Sequence, residues 1–305
     1  MLVHFDLGAL AAEWPASVVA IGTFDGVHLG HQAVLSQAVA LAAEQGLPAW
    51  VATFDQHPAA VLAPDRCPPS LATLGENLQV FERLGLAGAL VLRFDQAMSQ
   101  TSATEFLDRV LIAGLRAQTL VVGHDAAIGQ GREGDAAWLA ARIATVVVPP
   151  LELRGTRVSS RGIRELVTLG DVEAAAALLG RPYSMAGIVV RGQQLGRTLG
   201  FPTANLALSV RQALPLGGVY AGTGQTVHGS FPAAISVGAR PTVGGESTIE
   251  AFLLDYPGMS LYGTALRLEF QSRLRGQERF DDLGALARQM ARDVERVAEL
   301  AHAWR

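Results

Sequence analysis

The sequence predicts an α/β protein: a doubly wound domain on a parallel sheet, followed by a small antiparallel barrel and a closing helix. Three observations carry this. Across residues 17–179 short apolar runs alternate with helical stretches, the pattern of a parallel sheet wrapped by helices. Beyond residue 182 the texture changes to short strands separated by Gly- and Pro-rich segments, the pattern of a small barrel. The final stretch, 283–304, places Leu283, Leu286, Met290, Val294, Val297 and Leu300 at three-to-four spacing, with Arg288, Arg292 and Arg296 as a solvated stripe.

Composition bounds the chemistry. At 305 residues, half of them apolar, the chain is long enough for two domains with ordinary cores. Its net charge of −4 gives no reason to expect nucleic acid or membrane, but hides an asymmetry: residues 1–180 carry 11 Arg against 18 acidic residues, and residues 181–305 carry 13 against 10. All 24 basic residues are Arg, which excludes a Walker-type phosphate loop, a Schiff-base lysine and a lysine general base. A phosphate clamp must therefore use Arg, His, backbone N–H groups or a metal. Cys67 is the only cysteine, so no intramolecular disulfide and no Cys-rich metal site is available. Residues 1–15 lack the basic and apolar regions of a signal peptide, and no apolar run reaches membrane-spanning length; the cytoplasm is the expected compartment. A homo-oligomer is compatible with the sequence.

In order, strands are expected at 18–21, 49–54, 89–92, 119–123 and 144–148, and helices at 27–45, 75–84 and 102–115, the last with a capping box at Ser102 and Glu105. Two further helical stretches, 163–168 and 171–179, end at Gly180-Arg181-Pro182, read as the linker between a domain of residues 1–180 and one of residues 183–305. Strands then follow at 183–191, 218–222, 233–237, 249–255 and 265–270.

Ligands of a doubly wound sheet bind at the carboxyl ends of its strands, and the polar motifs fall there. After the first of these strands comes Gly22-Thr23-Phe24-Asp25-Gly26-Val27-His28-Leu29-Gly30-His31. A helix N-terminus favours phosphate, and two imidazoles three residues apart share one helix face, so this is a polyphosphate site. Asp55-Gln56-His57-Pro58 follows the second, and Gly123-His124-Asp125 a later one; Asp125 reads equally as a turn residue or as a ribose- and flavin-side contact.

The string resembles the signature of the His-x-Gly-His nucleotidyltransferases, and its wording that of their flavin branch. That implies a Rossmann-like nucleotidyltransferase domain in which His28 and His31 are catalytic, Gly22, Phe24, Asp25 and Gly30 bind ATP, and His57 and Asp125 meet the flavin. Ser159-Ser160-Arg161-Gly162-Ile163-Arg164 is similar to a family element whose hydroxyls and Arg hold ATP phosphates, which assigns Ser159, Ser160 and Arg164. Asn77, Ala126, Ala127 and Arg161 depart from the family pattern. They set a second reading beside the first: an active kinase whose first domain transfers adenylyl weakly or differently.

The second constellation is Gly192-Gln-Gln-Leu-Gly196-Arg197-Thr-Leu-Gly200-Phe201-Pro202-Thr203-Ala204-Asn205. Glycines at 192, 196 and 200 let backbone approach phosphate, and Thr203 and Asn205 set two neutral oxygens beside it, as a magnesium ion carried on phosphates requires. The string resembles the riboflavin kinase signature. Tyr220, Ser236 through Thr242, Glu250, Tyr262, Arg275 and Phe280-Asp281 continue it in the family's order.

Together the two halves look like the bacterial bifunctional riboflavin kinase and FAD synthetase family. The resemblance implies that Glu250 is the base for the riboflavin hydroxyl, Asn205 a second catalytic residue and, with Thr203, a ligand of Mg2+. Gly192, Gly196, Arg197 and Gly200 then bind ATP, and Arg275 and Phe280 the flavin. The small-molecule partners are riboflavin, FMN and ATP, and the products FMN and FAD.

Overall fold

A computed structural model of the chain describes residues 1–9, 15–192, 195–239 and 247–304. Gln193 and Gln194 of the glycine string, and Arg240, Pro241 and Thr242 of the barrel motif, lie outside the described residues. The chain forms two compact units, Met1–Ser160 and Arg161–Arg305.

In the first unit six strands build one parallel sheet: β1 (Leu2–His4), β2 (Ser17–Ile21), β3 (Ala49–Phe54), β4 (Gly88–Leu92), β5 (Ala117–Gly123) and β6 (Ala144–Val148). Their order is β1-β4-β3-β2-β5-β6. β2 pairs with β3 on one side and β5 on the other, so connections leave it in opposite directions and a crevice opens beyond its carboxyl end. β2, β3 and β4 read as continuous apolar runs because both their faces are covered. One apolar cluster holds Trp50, Phe106 and Leu120, the other Phe24, Val27, Leu35 and Phe81.

Helix α1 (Leu29–Gln45) starts two residues later than the sequence predicts. Val27 takes φ +38°, which no helical residue does, and His28 becomes the N-cap instead. α2 (Leu74–Arg83) carries a capping box between Thr73 and Glu76. The predicted helix over 102–115 is one turn of α-helix, Ala103–Glu105, capped by Ser102, and then a π-helix, Phe106–Gly114. Its buried stripe of Phe106, Leu107, Val110 and Leu111 fits either winding, so apolar spacing alone could not separate them.

In the second unit α3 (Ser160–Leu169) and α4 (Val172–Leu179, capped by Asp171) precede a closed antiparallel barrel of six strands. These are β7 (Tyr183–Val190), β8 (Ala204–Leu208), β9 (Gly218–Thr226), β10 (Gly229–Ala239), β11 (Ser247–Leu253) and β12 (Ala265–Gly276), in the order β7-β8-β11-β10-β9-β12. The composition break lies near Gly180, yet the units part at Ser160, because α4 packs on β7 and β12. β1 and β8 were not expected: β1 is three residues long, and β8 lies within a string read for its phosphate chemistry.

The barrel interior is apolar, with Ile235, Ile249, Ala251, Leu268 and Phe270 buried. Helix α5 (Leu283–Ala301) covers part of the outside, Val297 meeting Ala221 and Leu254. Among the described residues no helix is long and apolar enough to cross a membrane.

Candidate functional sites in the two units

A cleft of about 780 Å3 opens at the carboxyl ends of β2 and β5. Gly22, Phe24 and His31 line one side and the loop from Asp125 to Arg132 another, while Phe54, Phe94 and Phe106 supply an aromatic lobe. Phe54 meets Phe94 edge-on at 5.2 Å and lies 6.5 Å from Phe106. Phe54 opens the turn that runs to Pro58, whereas Phe94 and Phe106 belong to no motif, and the three rings make the cleft aromatic although Ala126 and Ala127 are not.

The loop between β2 and α1 is strained and buried at once. Phe24, Gly26 and Val27 have φ of +48°, +76° and +38°. Such outliers cost roughly 1–3 kcal/mol each in a non-glycine residue. Phe24 is 3% exposed and Val27 fully buried, and burying such side chains returns about 1.5–3 kcal/mol each, so packing holds the conformation. The ring of Phe24 lies edge-on to His31 at 5.3 Å and to Phe81 at 5.8 Å. A Cβ at Gly22 would come within 3.1 Å of that ring.

His28 and His31 stack at 3.6 Å with an interplanar angle of 16°. His28 Nδ1 accepts the backbone N–H of His31, which leaves the ring proton at Nε2 as a donor. His31 lines the cleft while His28, 5% exposed, sits outside the lining residues. Burial, and then the neighbouring His28, hold the His31 imidazole well below its ordinary pKa of 6.5, so it is uncharged at neutral pH. Its Nδ1 is buried with no hydrogen-bond partner among the described residues.

Asp25 and Ser160 work on the backbone. Asp25 Oδ1 accepts the N–H of Leu71 at 2.9 Å, and Ser160 Oγ donates to the Asp25 carbonyl at 3.0 Å. A Cβ at Gly30 would lie 3.2 Å from the His28 ring and 3.6 Å from the Val158 carbonyl, so a bare Cα lets the 158–160 segment approach the helix start. Ser159 is half-buried beside it in sequence; Arg164 lies in α3, within the second unit. His57 does not line the cleft, though its neighbour Pro58 does; its Nδ1 accepts the N–H of Ala59. Asp125 lines the cleft, with Arg157 at 3.6 Å from its carboxylate. Asn77 is buried in α2 with its Oδ1 unpartnered among the described residues. Arg161 pairs with Glu165 one turn on.

On the barrel, Asn205 of β8 stands directly opposite Glu250 of β11, and Glu250 opposite Ser236 of β10. Side chains in register across neighbouring strands share a face. Ile249 and Ala251 point into the barrel, so Glu250 points outward beside Asn205. Thr203 Oγ1 donates to Glu250 Oε2 at 3.0 Å, which brings Thr203, Asn205 and Glu250 into one cluster of oxygens. Gly192 lies against this cluster, Gly196 lies against the Phe201 carbonyl, and Gly200 holds φ +87°. Arg197 is exposed in the short helix Leu195–Thr198.

The resemblance assigns Arg275 to the flavin, but its guanidinium is occupied. Nε and Nη2 donate to the Asp293 carboxylate of α5, Nη2 at 2.7 Å, and Nη1 donates to the Gly276 carbonyl. It also stands 5.9 Å over the Phe280 ring. The arginine thus fixes α5 and Phe280 to the barrel.

Comparison with known proteins follows the same division. A family model described as FAD synthetase matches residues 10–162, and one described as Riboflavin kinase matches residues 179–301. Between them lies most of the helical pair α3–α4. Curated relatives described as "Bifunctional riboflavin kinase/FMN adenylyltransferase" match over nearly the whole chain. The one from Pseudomonas fluorescens is 38% identical over 299 residues, 96% of this chain and 95% of its own. That from Escherichia coli K12 is 36% identical over 286 residues, 90% of each. A crystal structure described as a macrolide-efflux protein from Streptococcus pneumoniae shares the fold, with a TM-score of 0.87 and 30% identity over 97% of this chain and 98% of that one.

Proposed function

The chain belongs to the family of bifunctional riboflavin kinase/FMN adenylyltransferases, and from that premise we propose how its residues divide the two reactions. The protein is a riboflavin kinase and an FMN adenylyltransferase: it phosphorylates riboflavin with ATP to FMN, then adenylylates FMN with a second ATP to FAD and pyrophosphate. Residues 183–305 perform the first reaction and residues 1–180 the second.

In the kinase reaction the terminal ribityl hydroxyl oxygen forms a bond to the γ-phosphorus as the bond from γ-phosphorus to ADP breaks. Glu250 orients that hydroxyl and receives its proton. Thr203 fixes the carboxylate through one oxygen and leaves the other free to accept. Gly192, Gly196, Arg197 and Gly200 bring backbone and one cation to the ATP phosphates. The donor set suits a hard cation: Thr203 and Asn205 offer neutral oxygens beside a carboxylate, and the described residues contain no cluster of three His, Cys, Asp or Glu able to bind a metal alone. Thr203 and Asn205 are the residues that would hold Mg2+ together with ATP, and the ion would supply neutralisation of charge on the transferred phosphoryl group. Arg275 acts on the flavin through Phe280.

In the adenylyl transfer a phosphate oxygen of FMN forms a bond to the α-phosphorus of ATP, and the α–β bond breaks to release pyrophosphate. The nucleophile is already an anion and needs no base. The chain supplies alignment and charge: His31 from the cleft wall, His28 behind it and the first N–H groups of α1 hold the ATP phosphates, with Ser159 and Ser160 completing the grip. The flavin occupies the lobe of Phe54, Phe94 and Phe106, bordered by His57 and Asp125. The protein works in the cytoplasm, without nucleic acid or membrane, and admits a homo-oligomer.

The observation that carries this division is the Thr203–Asn205–Glu250 cluster, which the first unit has no part in. Chromatographic separation of flavins tests it. Glu250→Gln protein should lose FMN formation from riboflavin about a hundredfold or more while still making FAD from supplied FMN; His31→Ala should do the reverse. Either variant at the wild-type rate in the reaction assigned to it overturns that assignment.

A further inference from the structure

Two anionic substrates must meet in the cleft of the first unit, yet the cleft is poor in positive charge. Its ionisable lining side chains are His31, Asp125 and Arg132. Burial keeps His31 uncharged at neutral pH, and Asp125 is negative, with Arg157 beside it. That leaves Arg132 as the cation of the lining.

Arg132 is held there at a cost. Its φ is +63°, after Gly129 at +77° and Gly131 at +64°. A non-glycine residue keeps such a conformation only where its surroundings impose it. They do so here: Gln130 N–H donates to the Thr101 carbonyl at 2.8 Å, and Glu133 Oε1 accepts the N–H of Ala103 at 2.7 Å. A Cβ on Gly129 would lie 2.3 Å from the Ala103 nitrogen, so the loop is seated tightly on that helix start. Arg132 Nη2 donates to the Asp125 carbonyl at 2.7 Å, and among the described residues the guanidinium makes no other hydrogen bond or ion pair. The remaining N–H groups are available to a ligand. The loop is pinned to the segment that carries Phe106, so the arginine belongs to the aromatic lobe.

We infer that Arg132 is the residue that receives the phosphate of FMN in the cleft and so distinguishes the phosphorylated flavin from flavins that lack it. The inference rests on the reading of the cleft as the adenylyltransferase site. A guanidinium suits a phosphate monoester through paired N–H donors, and its hydrogen bond to Asp125 fixes its direction. The ATP phosphates lie at the start of α1, so a phosphate held by Arg132 has its attacking oxygen between the flavin lobe and the nucleotide.

The test is steady-state FAD formation from FMN and ATP by the full-length protein, with lumiflavin, which has the ring system but no phosphate, as competing probe. Arg132→Ala keeps the backbone conformation and removes the guanidinium, with its charge and its hydrogen bond to the Asp125 carbonyl. It should raise KM for FMN about 10- to 100-fold, leave KM for ATP within about threefold and leave lumiflavin inhibition unchanged; Arg132→Lys should recover part of the loss. An unchanged KM for FMN overturns the inference, as does an increase confined to KM for ATP. Lumiflavin inhibition weakened in parallel also overturns it, since Arg132 would then only shape the loop. Wild-type protein that makes no FAD from FMN would instead sink the reading of the cleft itself.

Discussion

A Cβ on Gly192 would meet the Asn205 side-chain amide at 2.4 Å, closer than any packed pair of atoms stands. The obstacle is the end of a side chain and not backbone, so Asn205 can turn away and the fold survives. The functional geometry does not, because Asn205 faces Glu250 across the β8–β11 pair. Gly192→Ala should therefore cut FMN formation at least about tenfold while shifting Tm by no more than about 3 °C; a calorimetric scan beside a kinase assay checks both. At this scale the sequence was legible where chemistry has a spelling: Thr203, Asn205 and Glu250 stand together in the structure as the string implied. It was not legible where a residue acts through shape. Phe94, Phe106 and Arg132 carry no motif, and their meeting depends on strand order. Asp25 and Arg275 looked like ligand contacts, but part of what they do is fasten a loop and a helix.

An ion pair fastens helix α5 to the barrel. Asp293 takes the fork of Arg275 and a further hydrogen bond from Gln289 at 2.9 Å, and both charged side chains are largely buried. Removing one partner of such a pair leaves the other charge uncompensated. Asp293→Ala should cost about 3–5 kcal/mol by urea denaturation, whereas Arg275→Met with Asp293→Leu should recover most of it. Apolar spacing revealed α5, α2 and the long strands, since each buries one stripe or one run. It could not reveal the π-winding of Phe106–Gly114 or the onset of α1. The first depends on hydrogen-bond register and the second on a loop that Phe24 and Val27 pull into the core.

The chain forms two compact units, and each has an apolar core of its own. The proposed division of labour predicts that FMN made by one molecule serves the adenylyl transfer of another. Glu250→Gln and His31→Ala proteins, each unable to carry riboflavin through to FAD, should restore FAD formation when mixed, at a rate that rises with protein concentration; a mixture that accumulates FMN without FAD would contradict free exchange. The boundary itself could be read only approximately. Composition changes near Gly180, but α4 follows the barrel because its apolar side packs there.

The two sheets also age differently in a crowded solution. The barrel closes on itself, whereas the parallel sheet ends at β1 and at β6, and Val147 of β6 is 43% exposed. An apolar edge of this kind is a template for joining another chain, and natural sequences limit it with residues that cannot donate. Here Pro149 and Pro150 follow the last residue of β6 and stop the strand from lengthening. Their lack of N–H groups denies a joining chain two donors just beyond this edge.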